Sequence, residues 1–561
     1  MPQHTAWVDQ IDIRINGDHL RRELMDALVD VIVDTSLHMP TMFTLRVHDD
    51  ELRWMDENLF RLGAPIEIRI APAGGSSSAA QRIMSGEITA IEPEFSANQS
   101  ATLVVRGYDR SHRLNRGTKS RAYVQVTDSD IVQQIAREAN LQAQTDSTSE
   151  VYAHVYQHNQ TDLAFLQERA QRIGFEVFVD ENKLYFRRPR GQRGNLELEW
   201  GVQLRAFFPR LTLVQQVDEV IVKGWDPATK REIIGKANAS ESAPQINAGG
   251  SGGQLATRAF ASPARQVIVR QSVASQRDAD TMAQSVLDEI NAGFVEAEGI
   301  ALGNPAIVAG KKLRLERLGQ RFSGVYMISS ASHIYAQDGY EVHFRVEGPR
   351  PKTMADLVVE AVGSGETRQW GGVVVGIVTN NQDTEKLGRV KLKFPWLDGA
   401  LESNWARVMV VGGGADRGLL WLPEVNDEVL VAFEHGDFDR PYVVGNLWNG
   451  TDKPPNDINQ AVKNGKVEIR TLRTRTGHTI RLIDDSANTA IEIVDAEQCN
   501  RIKLDLKSRK MEITSQGEIT ITSQGNANIE AQGNLSIKGG ANVNVEASGQ
   551  LNLKGATVNI N

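Results

Sequence analysis

The sequence predicts a mainly β, multidomain chain that carries an OB-fold barrel and ends in an intertwined triple-stranded β-helix, or prism. Three observations carry this reading. Short strand-like segments recur across 7–127, 196–349 and 370–450. One helical stretch, 128–175, interrupts them. From Met511 the chain reads MEITSQGE, ITITSQGN, ANIEAQGN, LSIKGGAN, VNVEASGQ and LNLKGATV, a repeat of period eight covering 511–558.

The N-terminal region is rich in strand patterns. IDIRI (11–15), FTLRV (43–47), IEIRI (66–70), EITAI (87–91) and ATLVVRGY (101–108) alternate or run apolar as strands do. PAGGSSS (72–78) reads as a loop, and RRELMDALVD (21–30) as a short helix with Leu24, Ala27 and Leu28 at helical spacing. In 128–175, Asp128, Ser129 and Asp130 are good caps for a helix presenting Ile131, Val132, Ile135 and Ala136. A second helix starts at Thr161, lines up Leu163, Leu166, Ala170 and Ile173, and ends at Gly174. FEVFVDENKLYF (175–186) is then a hairpin with Asp180 to Lys183 at its turn.

Strands return over 196–349 in LELEW, ARQVIVR, KKLRLERL, GVYMISSASHIY and YEVHFRV. INAGGSGGQ (246–254) reads as a flexible interruption. A helix capped near Ser275 presents Ala279, Met282, Ala283, Val286, Leu287 and Ile290. PRPKTM (349–354) and AVGSGE (361–366), with a short helical bridge between, place a linker over 351–369.

Region 370–450 has its own logic. In GRVKLKF (388–394), Val390, Leu392 and Phe394 should point inward, with Arg389, Lys391 and Lys393 outward. WARVMVVGGG, GLLWLP, DEVLVAF and RPYVVGNLW follow at short spacing. Five short strands with glycine turns predict a small barrel, for which the OB fold is the leading case. TDKPPNDINQ opens a turn-rich linker over 451–465, and irregular strands from 466 grade into the octads.

The octads are a geometric object. Side chains alternate faces along a strand, so the first and third positions of each octad point the same way. Those positions hold Ile513, Ile519, Ile521, Ile529, Leu535, Ile537, Val543, Val545, Leu551 and Leu553. Glycine opens the corner at Gly517, Gly525, Gly533 and Gly549. Two apolar residues per octad bury too little surface for one chain to form a core, so such repeats must stack on neighbours. A single-chain solenoid needs roughly twenty residues per coil. Three chains wound together, each giving one face of a triangular prism, are the economical solution. At ~4.8 Å per octad, the repeat extends about 29 Å. A low-complexity polar tail would not hold its apolar positions in phase.

Composition narrows the function classes. Length of 561 residues suggests three or four domains. A net charge of −9 and pI near 5.8 argue against a nucleic-acid binder relying on a basic surface. The one cysteine, Cys499, cannot form an intrachain disulfide. No run of about eighteen apolar residues suggests a membrane span, and MPQHTAWVDQIDIRING lacks the pattern of a Sec signal.

Three stretches resemble one family. HNQTDLAFLQERAQRIGFEVFV (158–179) resembles a signature in the hub of VgrG-type spikes and phage late control protein D. NNQDTEKLGRVKLKFPWLDG through RGLLWLPEVNDEVLVAFEHGDFDRPYVVGNLWNG (380–450) resembles the OB domain of myophage baseplate spikes and VgrG. RTRTGHTIRLIDD (473–485) resembles the start of the β-prism in the same proteins. The resemblance is to the VgrG-like central spike of a contractile injection system, of the extracellular phage-tail-like kind. Spikes of phage tails and of type VI secretion systems are the near alternatives.

The resemblance implies a structural homotrimer, not an enzyme. Residues 1–350 would be the hub, with two tube-like β-barrel units (7–127 and 196–349) and the helical lobe 128–175 between them. Three hubs would present pseudo-sixfold symmetry to a hexameric inner tube. The OB domain (370–450) would ring the neck, and 466–561 would form the needle that contacts the target membrane mechanically. Implied partners are the inner tube protein, baseplate proteins, effector cargo and a PAAR-type tip protein. The bare last strand suggests docking of that tip at Val558, Ile560 and Asn561. No cofactor and no nucleic acid are implied. The particle would assemble in the bacterial cytoplasm and be released or fired toward its target.

Catalytic and metal constellations are weak. A lysozyme domain between barrel and prism would need two carboxylates flanking a sugar, and the gap from Asn449 to Val467 is too short for one. The chain stops at Asn561 directly after the last strand, so no appended effector is expected. His435, in EHGD, reads as a hairpin turn before it reads as a metal ligand, and His154 and His158 read as structural. GGG at 412–414 lacks the lysine and helix of a phosphate loop. Trp396, Trp405, Trp421 and Trp448 could stack bases, but Glu402, Glu424, Asp427, Glu428, Glu434, Asp437 and Asp439 oppose a positive groove. The tryptophans are expected to pack the barrel or its contacts with neighbouring chains.

Overall fold

In the computed structural model, which describes residues 11–560 apart from 38, 73–79, 96–100, 190–195, 228, 241–244, 270 and 348–371, strand accounts for 42% and helix for 15%. The chain is therefore mainly β. The expected linker 351–369, most of the 72–78 loop and Asn561 fall outside the described residues. Two compact units divide at Leu447 and Trp448.

An eleven-stranded sheet dominates the first unit. Its spatial order is Leu204–Leu211, Val295–Leu302, Gly339–Val346, Ser330–Ala336, Leu28–Ser36, Met42–His48, Thr102–Asp109, Gln81–Glu94, Pro65–Ile70, Ile11–Ile15 and Asp18–His19. The two β-rich stretches of the sequence thus meet at one antiparallel seam, where Asp30 opposes Ala336 and Ser36 opposes Ser330. A single apolar cluster runs under both halves, from Ile11 and Val31 to Tyr326 and Val346. The segment read as a helix over 21–30 is helical only at Arg22–Asp26. From Leu28 the β-branched run alternates buried and half-buried positions, and strand pairing overrides the local helical spacing.

The region 128–175 is helical as expected at Asp128–Glu138 and Asp162–Arg172. The cap of the first helix is Thr127, reciprocally bonded with Asp130 in a capping box. The lobe is an α/β unit, however, because strand Tyr152–Gln160 pairs with Lys119–Val126. The hairpin Glu176–Asp180/Lys183–Arg187 forms as predicted, with Asp180 opposite Lys183.

A small insert joins strands Glu219–Asp226, Arg231–Ala237 and Arg265–Ile268 to the helix Gln276–Ala292. Ser275 caps that helix, and Ala279, Met282, Ala283 and Leu287 are buried beneath it, as the spacing predicts. The stretch read as flexible is corrected: Ser251 caps a helix over Gly252–Phe260. Glycine is needed there for close approach, since a Cβ at Gly253 would sit 2.3 Å from the Val217 carbonyl oxygen. Gly253→Ala should therefore cost about 1–3 kcal/mol, read as a lower denaturant midpoint with unchanged slope.

The barrel sheet runs Asp398–Glu402, Lys391–Phe394, Val373–Asn380, Glu428–Phe433, Pro441–Asn446 and Arg407–Val408. It closes where Val390 and Ala406 exchange backbone hydrogen bonds of 3.0 and 2.7 Å. Val390, Leu392 and Phe394 fill its core with Val378, Val429, Val431 and Val443. GLLWLP is not a strand; it belongs to an arm that leaves the barrel after Val408 and carries exposed Met409, Val411, Leu419 and Leu420.

In the second unit, the expected linker holds a short helix, Ile458–Ala461. An antiparallel five-stranded meander follows, from Ile469–Arg473 through Thr479–Ile483, Ala490–Val494 and Asn500–Asp505 to Lys510–Ser515. Beyond Ser515 no described residue joins a strand.

Candidate functional site

The meander has two chemically opposite faces, and its register shows why. Leu472 opposes Ile480, Ile480 opposes Ile493, Ile493 opposes Ile502, and Ile502 opposes Ile513. The neighbouring row on the same face runs from Arg470 through Leu482, Ile491 and Leu504 to Met511. Within these two rows Arg470 is the one polar residue. The opposite face carries Thr471, Arg481, Glu492, Lys503 and Glu512 in one cross-strand row. There, Glu492 is buried between Arg481 and Arg501.

Opposite charges across neighbouring strands each contribute a few tenths of a kcal/mol and suit a solvated face. An apolar sheet face suits contact with another surface. In the single chain that face lies open: Leu472, Ile480, Leu482, Ile493, Met511 and Ile513 are all exposed.

Ile513 closes the meander's apolar row. Ile519, Ile521, Ile529, Leu535, Ile537, Val543, Val545, Leu551 and Leu553 follow, every one exposed, Ile521 at 86%. Val558 and Ile560 are exposed as well. Sequence reading missed the meander's contribution, although the alternation in TIRLI, AIEIV and RIKLD was its signal.

A second constellation joins the lobe to the barrel within the first unit. On the lobe, buried Arg169 lies 2.6 Å from Asp128 and 4.4 Å over the Tyr152 ring. Burial works against its charge, but the Asp128 carboxylate outweighs it and holds the guanidinium above its usual value. Arg172 bonds both Asp278 and the Ser272 carbonyl. On the barrel side, Phe438 stacks on His158 with ring centroids 4.3 Å apart. His154 reaches Asp439 at 2.7 Å. Both histidines, which the sequence places in the lobe, thus contact the barrel. His435 sits in a single tight turn at φ 52°, the hairpin position foreseen for it.

The tryptophans divide by position. Trp396 donates its indole N–H to the Val375 carbonyl at 3.0 Å. Trp405 lies under Arg389 and Lys391, so charges that could have met a polyanion instead cover an aromatic ring. Trp421 and Trp448 stay exposed.

Known proteins resemble parts of this chain. Residues 374–448 match the family model of the type VI secretion system/phage-baseplate injector OB domain. The type VI secretion system spike protein VgrG2a of Pseudomonas aeruginosa is 25% identical over 135 residues, 23% of this chain and 16% of that protein. The actin cross-linking toxin VgrG1 of Vibrio cholerae is 32% identical over 118 residues, 20% of this chain and 10% of that protein. The match thus spans about a sixth of such relatives or less. Among solved structures, one chain of the lidded Francisella PdpA–VgrG complex matches 90% of this chain and 80% of its own length at a TM-score of 0.52. Its 10% identity makes that a likeness of fold. Residues 8–337, more than half the chain, match the Alg8 N-terminal domain model, so the chain belongs to that family, while its VgrG relatives and its baseplate OB match make it a VgrG-like spike protein.

Proposed function

We propose that three copies of this chain wind together through the apolar face of 469–515 and the octad strip, forming the threefold needle of a contractile, tail-like injection machine. The carrying observation is the phase match: Met511 and Ile513 belong both to the meander's apolar face and to the first octad. A prism built from three such faces hides its apolar residues inside and leaves the Arg481–Glu492–Lys503–Glu512 row on the opposite face, where Glu492 stays covered by its two arginines. It also leaves no free strand edge along its length. The Ile513 to Leu553 positions would line the axis.

In this reading the first unit is the hub. Its sheet ends in two open edges, Leu204–Leu211 and Asp18–His19, which suits closure of three copies into a ring facing a hexameric inner tube. Baseplate proteins and effector cargo would contact the hub, and a PAAR-type tip protein would seat on Val558, Ile560 and Asn561. The work is mechanical, with no catalytic residue, and the target membrane meets the needle alone. The particle is assembled in the bacterial cytoplasm and released or fired toward a target cell. That the Francisella fold match is one chain of a PdpA–VgrG complex supports a spike that assembles with companion proteins.

Hydrogen exchange on the full chain tests the needle. Amides over 519–553 should exchange as slowly as those of the main sheet, because their partners are other copies. Exchange at the rate of a free peptide would remove the proposal.

A further inference from the structure

The contact between lobe and barrel buries more acid than base. Asp128 has Arg169, Asp278 has Arg172, and Glu434 has Arg440. Asp439 has His154, which is charged only when protonated. Asp437 makes no salt bridge among the described residues. Its partners are the Ser272 hydroxyl and the Asp439 backbone N–H, at 2.9 Å for the latter. Arg440 instead donates to the Val273 carbonyl.

The position of His154 points the same way. Its Nδ1 faces Asp439 Oδ1 at 2.7 Å, and its Nε2 faces the Glu402 carbonyl oxygen at 3.2 Å. A carbonyl only accepts, and so does an ionised carboxylate. Both contacts are therefore made when both ring nitrogens carry hydrogen, or when Asp439 itself is protonated. Either state holds one more proton than a neutral imidazole beside a carboxylate.

We propose that the joint between the lobe and the OB barrel is a proton-operated clasp, seated fully when Asp437, held without a cation partner beside Asp439, keeps a proton, and loosened as that proton leaves. The groups facing it are Asp439, Arg440 and Glu434 from the barrel, His154 and His158 from strand Tyr152–Gln160, Arg169 and Arg172 from helix Asp162–Arg172, and Asp278 from helix Gln276–Ala292. Burial, reinforced by the Asp439 charge, pushes Asp437 up to about 6. A carboxyl raised on folding stabilises the folded form at low pH, and that stabilisation is lost as pH rises through its folded value. The clasp therefore tightens between about pH 7 and pH 5. This is independent of the trimer, since every residue belongs to one chain's first unit.

Hydrogen exchange of the full chain, corrected for intrinsic rates, reads the clasp in peptides covering 152–160 and 434–441. Protection should rise roughly tenfold from pH 7.5 to 5.0. Asp437→Asn should bring protection at pH 7.5 to the wild-type level at pH 5.0 and flatten most of the profile. Asp439→Asn, which removes the neighbouring charge that raises Asp437, should also flatten it, and this keeps the test open if Asp437→Asn fails to fold. A flat wild-type profile, or a wild-type slope in either variant, overturns the clasp.

Discussion

Ile521→Asp is expected to abolish assembly of the needle while the first unit stays folded. Ile521 is 86% exposed in one chain, so the substitution costs a monomer almost nothing. Around a threefold axis, three carboxylates would face one another in an apolar interior. Each buried ion costs several kcal/mol, and like-charge repulsion adds to it. Protonation, which sets in as pH falls below the raised carboxyl value, relieves only part of that penalty. Size-exclusion chromatography with light scattering should show a monomer, and the thermal transition of the first unit, which does not include residue 521, should not move. Native assembly in the variant would mean that this position does not point inward.

Arg169→Met should destabilise the first unit by about 3–5 kcal/mol. The arginine is the ion partner of Asp128, whose side chain is 1% exposed. Methionine keeps much of the volume over Tyr152 but leaves the carboxylate buried without a cation. The loss is specific to the charge, so Arg169→Met with Asp128→Leu should recover most of it, because removing both members of a buried pair is often neutral. Chemical denaturation of both variants measures the difference. A double variant no better than the single would place the loss in packing over Tyr152.

Local pattern was readable in the sequence wherever burial is one-sided. GRVKLKF alternates because only one face meets the barrel core, and the residues assigned inward are the buried ones. The helix Gln276–Ala292 showed its stripe for the same reason. The octad positions were legible because strict phase needs no tertiary information. Three kinds of feature were not. YAHVYQHNQ (152–160) carries polar residues toward the barrel, so it lacks a strand's usual alternation. The helix Gly252–Phe260 begins with glycines that approach Gln216 and Val217 closely, which reads as flexibility when the neighbours are unknown. Long-range pairings, such as His154 with Asp439, 285 positions apart, leave no local trace. The same holds for the seam of Leu28–Ser36 against Ser330–Ala336. Half of the candidate site was therefore visible as the octads, and the other half, the meander's apolar face, emerged from strand register.

The central claim is that this apolar face is built for copies of its own chain. Sedimentation equilibrium of the full chain tests it most directly. One chain weighs 61.9 kDa. The account predicts a single species of about 186 kDa, three times the chain mass, that persists on dilution, whereas a stable monomer would contradict it.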